Sequence, residues 1–376
     1  MIVSSKPYPS VKILSNMLIK DEIPFIENLD FFPLGRIALL SGMISLGLTK
    51  GDKILLPGYI CDSAIKPLRD YGYKLIFVDI DENLNISLSA IKVVINEHDI
   101  KAIVIVNYFG FKAKISTIIK FCESLNIMVI EDCSHSFLSH FLLSNSEVES
   151  DMELYSMRKT LPVKDGGALR IKLSSRANKR KFGTNKYVTK LGNLIYLLFR
   201  TIEKIFVLCR FNIYSNVFTN IKNIIFTKEF SIKDVDLDPG IPSYQLKSYL
   251  SNQKYLLTLS QKIRENFNIL SNEIHKLGFE LPFKKLNDSS VPQVFVIYNN
   301  SNEFLEYLRN KGIGASQWPS DDMPDEVLKS PSLYENALKM NNKLLLLPIH
   351  QDIGKKHIDY MVKIIKQWDK NHLKVN

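Results

Sequence analysis

The sequence predicts an α/β protein: a large domain with a mostly parallel central sheet, followed by a smaller α+β C-terminal domain. Three observations carry this expectation. The first half alternates short Ile- and Val-rich runs with helix-sized stretches, the pattern of βαβ units. The runs are nearly continuous in apolar residues, as parallel strands covered on both faces are. Beyond about residue 234 the pattern changes to long helical periods around an isolated strand.

Taken in order, Gly35-Arg36-Ile37-Ala38-Leu39-Leu40 reads as the opening of a helix. Ile54-Leu55-Leu56, stopped by Pro57, reads as a strand, and Ser63 to Tyr71 as a helix that Pro67 could kink. Leu75 to Val78 is a second strand, Ser87 to Glu97 a helix, Ala102 to Val106 a third strand and Lys114 to Leu125 a helix. Ile127 to Ile130 is a fourth strand, running into Glu131-Asp132. Ligands of open parallel sheets bind beyond the carboxyl ends of the strands. That draws attention to Pro57-Gly58-Tyr59, Asn107 to Gly110 and Glu131 to His135 before any motif is considered.

The segment from Arg176 to Lys228 interrupts this pattern. It holds eleven basic residues and one acid, Glu203, for a net charge of +10; the other parts of the chain balance at 38 against 38. Within it Leu191 to Ile213 is strongly apolar, but Arg200, Glu203, Lys204 and Arg210 break the run, so it reads as one or two amphipathic helices. A spanning helix needs about 20 predominantly apolar residues. Asp234 to Gly240 reads as a hinge, dividing the chain into 1–233 and 234–376. A helical pattern from Tyr244 to Leu277, a strand from Val294 to Tyr298, and helices at Asn302–Lys311 and Lys356–Trp368 make up the smaller domain.

Composition narrows the class. Hydrophobic residues make up 45% and charged residues 23% of 376, ordinary for a globular protein and unlike a disordered chain. The four cysteines, Cys61, Cys122, Cys133 and Cys209, are scattered and form no C-x-x-C, which argues against a disulfide framework or structural zinc and fits a reducing compartment. The start, MIVSSKPYPSVKILSNM, lacks the apolar core of a signal peptide. Because the excess charge sits in one segment, basicity by itself does not indicate nucleic-acid binding; none is expected, and no metal.

The sharpest chemical signal is Ser156-Met157-Arg158-Lys159, followed by Gly166-Gly167. A serine for a phosphate, a lysine for a Schiff base and a glycine pair for a tight return of the chain suit one another. Asp132 at the end of an apolar strand suits a partner for a protonated pyridine nitrogen. His135 suits a hydrogen bond to a phenolic oxygen. Gly35, opening a helix, offers backbone N–H groups to a phosphate. Each piece alone also reads as ordinary structure: a lysine before a turn, a capping aspartate, a buried histidine, an uncapped helix.

Together, and in this order, the pieces "LGRIALL", "KAIVIVNYFGF", "IEDCSHS", "SMRKTLPVKDGGAL", "GIGASQWP" and "LLLLPIHQDI" resemble the DegT/StrS family of sugar aminotransferases that use pyridoxal 5'-phosphate (PLP). The resemblance runs from about Asp30 to Ile171 and again from about Asp238 to Trp368. It implies the fold type I aminotransferase architecture, with Lys159 as the cofactor-binding lysine and proton shuttle. It implies Asp132 as the pyridinium partner, His135 beside the phenolic oxygen and Ser134 as the small residue under the ring. Ser156, Gly35 and Arg36 would bind phosphate. The chain departs from the family in three places. Ser156 precedes Lys159 by three residues instead of five. Cys61 stands where a ring-stacking aromatic is usual, so Tyr59 is the substitute expected. Ser243 stands in for an asparagine lent by a second subunit.

The implied activity moves an amino group from an amino acid, glutamate foremost, to a nucleotide-linked keto-sugar for cell-surface polysaccharide. Trp318 and His350 would line the acceptor pocket. The implied enzyme is a cytoplasmic homodimer. The insert 176–228 packs against the partner subunit, contacts an anionic membrane at its inner face through 188–213, or attracts an anionic substrate. The alternatives are a PLP-dependent sugar dehydratase, in which histidine can replace the lysine and against which Lys159 speaks, and a catalytically silent binding protein of the same fold.

Overall fold

Apolar runs that must be buried on both faces become the middle of one sheet. The computed structural model describes residues 1–10, 26, 28–142, 148–172, 191–212, 236–299 and 301–372. Its main sheet has seven strands: β1 (Asp30–Phe32), β2 (Lys53–Pro57), β3 (Lys74–Val78), β4 (Ile100–Val106), β5 (Met128–Asp132), β6 (Met152–Ser156) and β7 (Gly167–Ile171). They lie in the order β1-β7-β6-β5-β4-β2-β3. From β6 through β3 every pairing is parallel; β7 is antiparallel to both β6 and β1. The four strands expected from the sequence are β2 to β5. In β4, Ala102, Ile103 and Val104 are wholly buried, and each large aliphatic side chain so placed contributes about 1.5–3 kcal/mol.

The connecting helices are Asp62–Tyr71, Leu88–Glu97 and Ser116–Ser124. The first continues through Pro67. The second is capped by Ser87, whose hydroxyl accepts from the Ala90 N–H at 3.1 Å. A further helix, Gly35–Ser45, packs beside β6 and β7.

In the C-terminal part β8 (Phe295–Tyr298) and β9 (Leu344–Leu347) form an antiparallel pair. The single helical pattern expected over 244–277 is two helices, Tyr244–Leu250 and Gln253–Lys276. The break has a cause: the Asn252 side chain accepts from the Tyr255 N–H at 2.9 Å and starts a new helix. Helices Asn302–Asn310 and Lys355–His372 follow. Residues 1–10 lie against this part, since the Val3 N–H donates to the Gly312 carbonyl and the Gly314 N–H to the Val3 carbonyl, each at 2.8 Å. The boundary at 233/234 and most of 176–228 lie outside the described residues; 191–212 are described and hold the helix Leu191–Leu208.

Candidate active site

Chain geometry delivers the predicted residues to one place. β5 ends at Asp132 and β6 at Ser156, and these neighbouring parallel strands end at the same edge of the sheet. A single 3-10 turn, Met157–Lys159, then brings the lysine over that edge. The glycine pair holds the turn. Gly166 adopts φ +119°, open to glycine, and its carbonyl accepts from the Met157 N–H at 2.7 Å. Gly167 has no room for a side chain, because a methyl group there would overlap the backbone of Leu34. That contact sets the N-terminus of the helix Gly35–Ser45 against Ser156: a Cβ on Gly35 would lie 3.3 Å from the Ser156 Cβ.

The result is a cavity of about 210 Å³. Lys159, Asp132, His135 and Ser156 line it, with Ser134, Gly35 and Arg36. The three-residue spacing of Ser156 and Lys159 therefore still brings both to one cavity. The helix at Gly35 has no side-chain cap and no acid in its first turn, so its N-terminus presents amide donors and a positive dipole end. Arg36 and Arg158 add guanidinium charge to the lining.

Tyr59 is not brought to this cavity. It is completely buried, its hydroxyl donates to the Trp318 carbonyl, and its ring meets the Trp318 ring edge-on at 5.1 Å. Trp318 stands between Tyr59 and the opening, and Cys61, two residues on, lines the wall instead. Ser243 is likewise committed elsewhere: its hydroxyl donates to Asp165 at 2.7 Å and accepts the Leu246 N–H.

The electrostatics are specific. Removal from water pulls the Lys159 amine below the usual lysine range, and Arg158 and Arg36 push the same way, against Cys61 and Asp132. Its Nζ lies 5.8 Å from the centre of the Trp318 ring. Asp132 is buried and its Oδ1 accepts from the Ser134 N–H at 2.9 Å. Burial, with Lys159 beside it, holds His135 well below its ordinary value and hence neutral. The His135 Nδ1 accepts the Phe109 N–H at 3.4 Å, which assigns the proton to Nε2. The ring is stacked on Phe109 and meets Trp318 edge-on at 4.7 Å.

Behind Asp132 the two strand-end segments at Asn107 and Glu131 join with His140, which the sequence did not single out. Glu131 accepts from Asn107 at 2.6 Å and pairs with the His140 Nε2 at 3.2 Å. Burial opposes ionisation of both, yet the pairing holds Glu131 below and His140 above their usual ranges. Cys133 completes the group, and burial pushes its thiol well up, so it stays protonated and is a poor metal ligand. Asp322 was also missed. It comes from the C-terminal part and takes the Ser63 N–H at 3.0 Å on the cavity rim.

A second cavity, about 290 Å³, shares Lys159, His135 and Trp318 as a common wall. His350 reaches it, as do Gln293 and residues 5–7. The His350 ring is held through both nitrogens: Nε2 donates to the Ser4 carbonyl at 2.9 Å and Nδ1 accepts the Asp352 N–H at 3.3 Å. A larger hollow of about 480 Å³, between Asp81, Lys112 and Phe283, holds none of the predicted residues.

The sheet order, the lone antiparallel strand inside it and a lysine just beyond β6 define an α/β fold of the fold type I aminotransferase class. Residues 35–180 match the model of the DegT/DnrJ/EryC1/StrS aminotransferase family, so the resemblance read from the motifs is borne out over that stretch. Among curated relatives, the protein MosB of Rhizobium meliloti is 36% identical over 137 residues, 35% of this chain and 27% of that protein. The GDP-perosamine synthase of Escherichia coli O157:H7 is 29% identical over 136 residues, 35% of this chain and 37% of that protein. The chain thus spans 27% and 37% of the length of these two curated relatives. The fold is shared with a solved structure: the putative sugar aminotransferase Spr1654 of Streptococcus pneumoniae, in its PMP form, superposes with a TM-score of 0.71 at 12% identity, covering 100% of this chain and 99% of that one.

Proposed function

We propose that the protein is a PLP-dependent aminotransferase that moves an amino group from an amino acid, glutamate foremost, to a keto-sugar carried on a nucleotide. It acts as a cytoplasmic homodimer in the assembly of cell-surface polysaccharide, with a cofactor-binding part over 1–233 and a smaller part over 234–376. The observation that carries this reading is the convergence of Lys159, Asp132 and Ser156 with an uncapped helix N-terminus on one cavity.

The donor set suits a phosphorylated pyridine aldehyde. Lys159 would hold the aldehyde, and Asp132 the ring nitrogen. The His135 Nε2–H would face the phenolic oxygen, and Ser156, the amides at Gly35 and the guanidinium of Arg36 would hold the phosphate. Bound there, PLP supplies an electron sink that stabilises a carbanion next to nitrogen. The chain's own part is proton handling. Burial lowers the Lys159 amine and favours its free-base form, so Lys159 serves as base and acid. Trp318 and His135 close the wall on the acceptor side, which Gln293 and His350 share. The GDP-perosamine synthase relative supports a nucleotide-linked sugar as acceptor.

The test is direct. The purified protein should show a band at roughly 400–430 nm, and borohydride should fix the cofactor on the peptide carrying Lys159. Lys159→Ala should show neither. Loss of the band on adding glutamate, and an aminated product from a panel of nucleotide-linked keto-sugars, separate amino transfer from dehydration. A labelled peptide other than that of Lys159 refutes the assignment.

A further inference from the structure

Glu131 and His140 are buried, and neither lines the cavity. Successive residues of β5 point to opposite faces of the sheet; Asp132 takes the cavity side and Glu131 the other. A buried ion pair gains little over apolar packing of the same size, so stability alone does not account for this one. His140 donates through both ring nitrogens, Nε2 to Glu131 at 3.2 Å and Nδ1 to the Ser136 carbonyl at 3.1 Å. Glu131 in turn takes the Asn107 Nδ2 at 2.6 Å. The same amide closes a loop, because its Oδ1 accepts the Ala113 N–H at 2.7 Å. A carboxylate only accepts and a backbone N–H only donates, so the Asn107 amide has one orientation.

Between these two ends the chain is sharply bent. Phe109 has φ +56° and ψ +18°, a left-handed conformation uncommon for so large a side chain. In this conformation its N–H meets the His135 Nδ1 at 3.4 Å, and its ring is stacked on the imidazole with centres 5.6 Å apart. After that N–H the loop is anchored by Gln293, whose N–H donates to the Phe109 carbonyl at 2.8 Å, and by the Ser139 hydroxyl on the Gly110 carbonyl at 2.7 Å. Before it the anchors are Asn107 and the Tyr108 hydroxyl, which donates to the Tyr59 carbonyl at 2.6 Å.

We propose that Glu131, His140 and Asn107 are positioning residues for His135. The pair locks the Asn107 amide, the amide fixes the loop 107–113, and the loop aims the Phe109 N–H at Nδ1, which leaves the imidazole proton on Nε2. Without the lock the left-handed turn relaxes, Nδ1 loses its donor, and either nitrogen carries the proton. The inference rests on the aminotransferase reading only in its last step, where the Nε2–H meets a phenolic oxygen. A donor there withdraws charge from that oxygen and lowers the proton affinity of the nitrogen conjugated with it.

Nitrogen NMR of the apoprotein with isotope-labelled histidine tests the aim of the ring without the cofactor. Native His135, assigned by its loss in His135→Leu, should show the Nε2–H form alone. Asn107→Ala should add the Nδ1–H form, and so should His140→Leu. Asn107→Ser, too short to reach both partners, replaces the alanine variant if that chain does not fold. Asn252→Ala, which removes a helix cap, should match the native spectrum, so lost stability by itself does not produce the change. With the cofactor bound, the pH midpoint of its absorbance band should rise by about one unit in Asn107→Ala and no further when His135→Leu is added. An unchanged tautomer in Asn107→Ala or in His140→Leu, or a midpoint shift that adds to that of His135→Leu, overturns the proposal. A chain that takes up no cofactor refutes the proposed activity instead, and the tautomer result still decides the role of the pair.

Discussion

Lys159 illustrates how a single residue trades stability for chemistry. Its amine is driven toward the neutral form because water is excluded and two guanidinium groups lie close. In the unfolded chain the same amine titrates near 10.5. Between its lowered native value and 10.5 the unfolded state binds the extra proton, so the group costs the apoprotein stability at neutral pH and ceases to do so above 10.5. Lys159→Met should therefore raise the melting temperature of the apoprotein at pH 7, with a gain that shrinks toward pH 10.5, while abolishing cofactor trapping. A melting curve that drops at pH 7 would contradict the electrostatic account. Asp132→Asn makes a complementary case: the Ser134 N–H keeps an acceptor, so the fold should survive. Without the carboxylate, transamination should slow by at least about a hundredfold, read as turnover with saturating cofactor.

At the scale of elements, the helix Gly35–Ser45 carries a functional signature in what it lacks. Its N-cap is Leu34, with no side-chain cap, whereas the helix after Asn252 is closed by a side chain. Asn252→Ala should cost about 1 kcal/mol of stability and leave cofactor affinity unchanged. Gly167→Ala should do the reverse in emphasis. The added methyl meets Leu34 backbone, costs about 1–3 kcal/mol as overpacking and displaces the helix N-terminus from Ser156. Cofactor affinity, titrated by absorbance, should fall at least tenfold beyond what the stability loss explains.

What could be read from the sequence also divides by element. β2 to β5 are buried on both faces and so spell themselves as apolar runs. β6 does not, because Glu153 breaks it; the acid is tolerated only because Arg170 of β7 pairs with it at 2.7 Å and the Tyr155 hydroxyl donates to it at 2.5 Å. β1 has three residues and leaves too short a pattern. Asp132 was legible because it ends an apolar run, and Ser156 and Lys159 because a glycine pair follows them. The position of Tyr59 was not, because Trp318, distant in sequence, takes the place in the wall.

At the scale of the whole molecule, residues 1–10 join the two ends of the chain and close the second cavity. Besides the backbone bonds of Val3 to Gly312 and Gly314, they are held by His350 at Ser4, by Asp352 at Tyr8, and by Arg200 at Lys6 and Pro7. The attachment by His350 is pH-sensitive. Burial pushes His350 down to about 4, against the opposing influence of the Ser4 carbonyl and Asp352. Its Nδ1 must remain an acceptor for the Asp352 N–H while Nε2–H holds Ser4. A His350 exposed by release of the segment would titrate near 6.5. Between that value and about 4 the released form binds a proton that the docked form does not. Docking is therefore complete above pH 6.5 and weakens as the pH falls, by up to about tenfold per unit. Hydrogen exchange of residues 1–10, expressed as protection factors, should show protection declining from pH 6.5 to 5 in the native protein. His350→Asn should start from lower protection and show little of that slope. If acid leaves the native segment as protected as before, His350 is not its latch, and the other attachments close the second cavity.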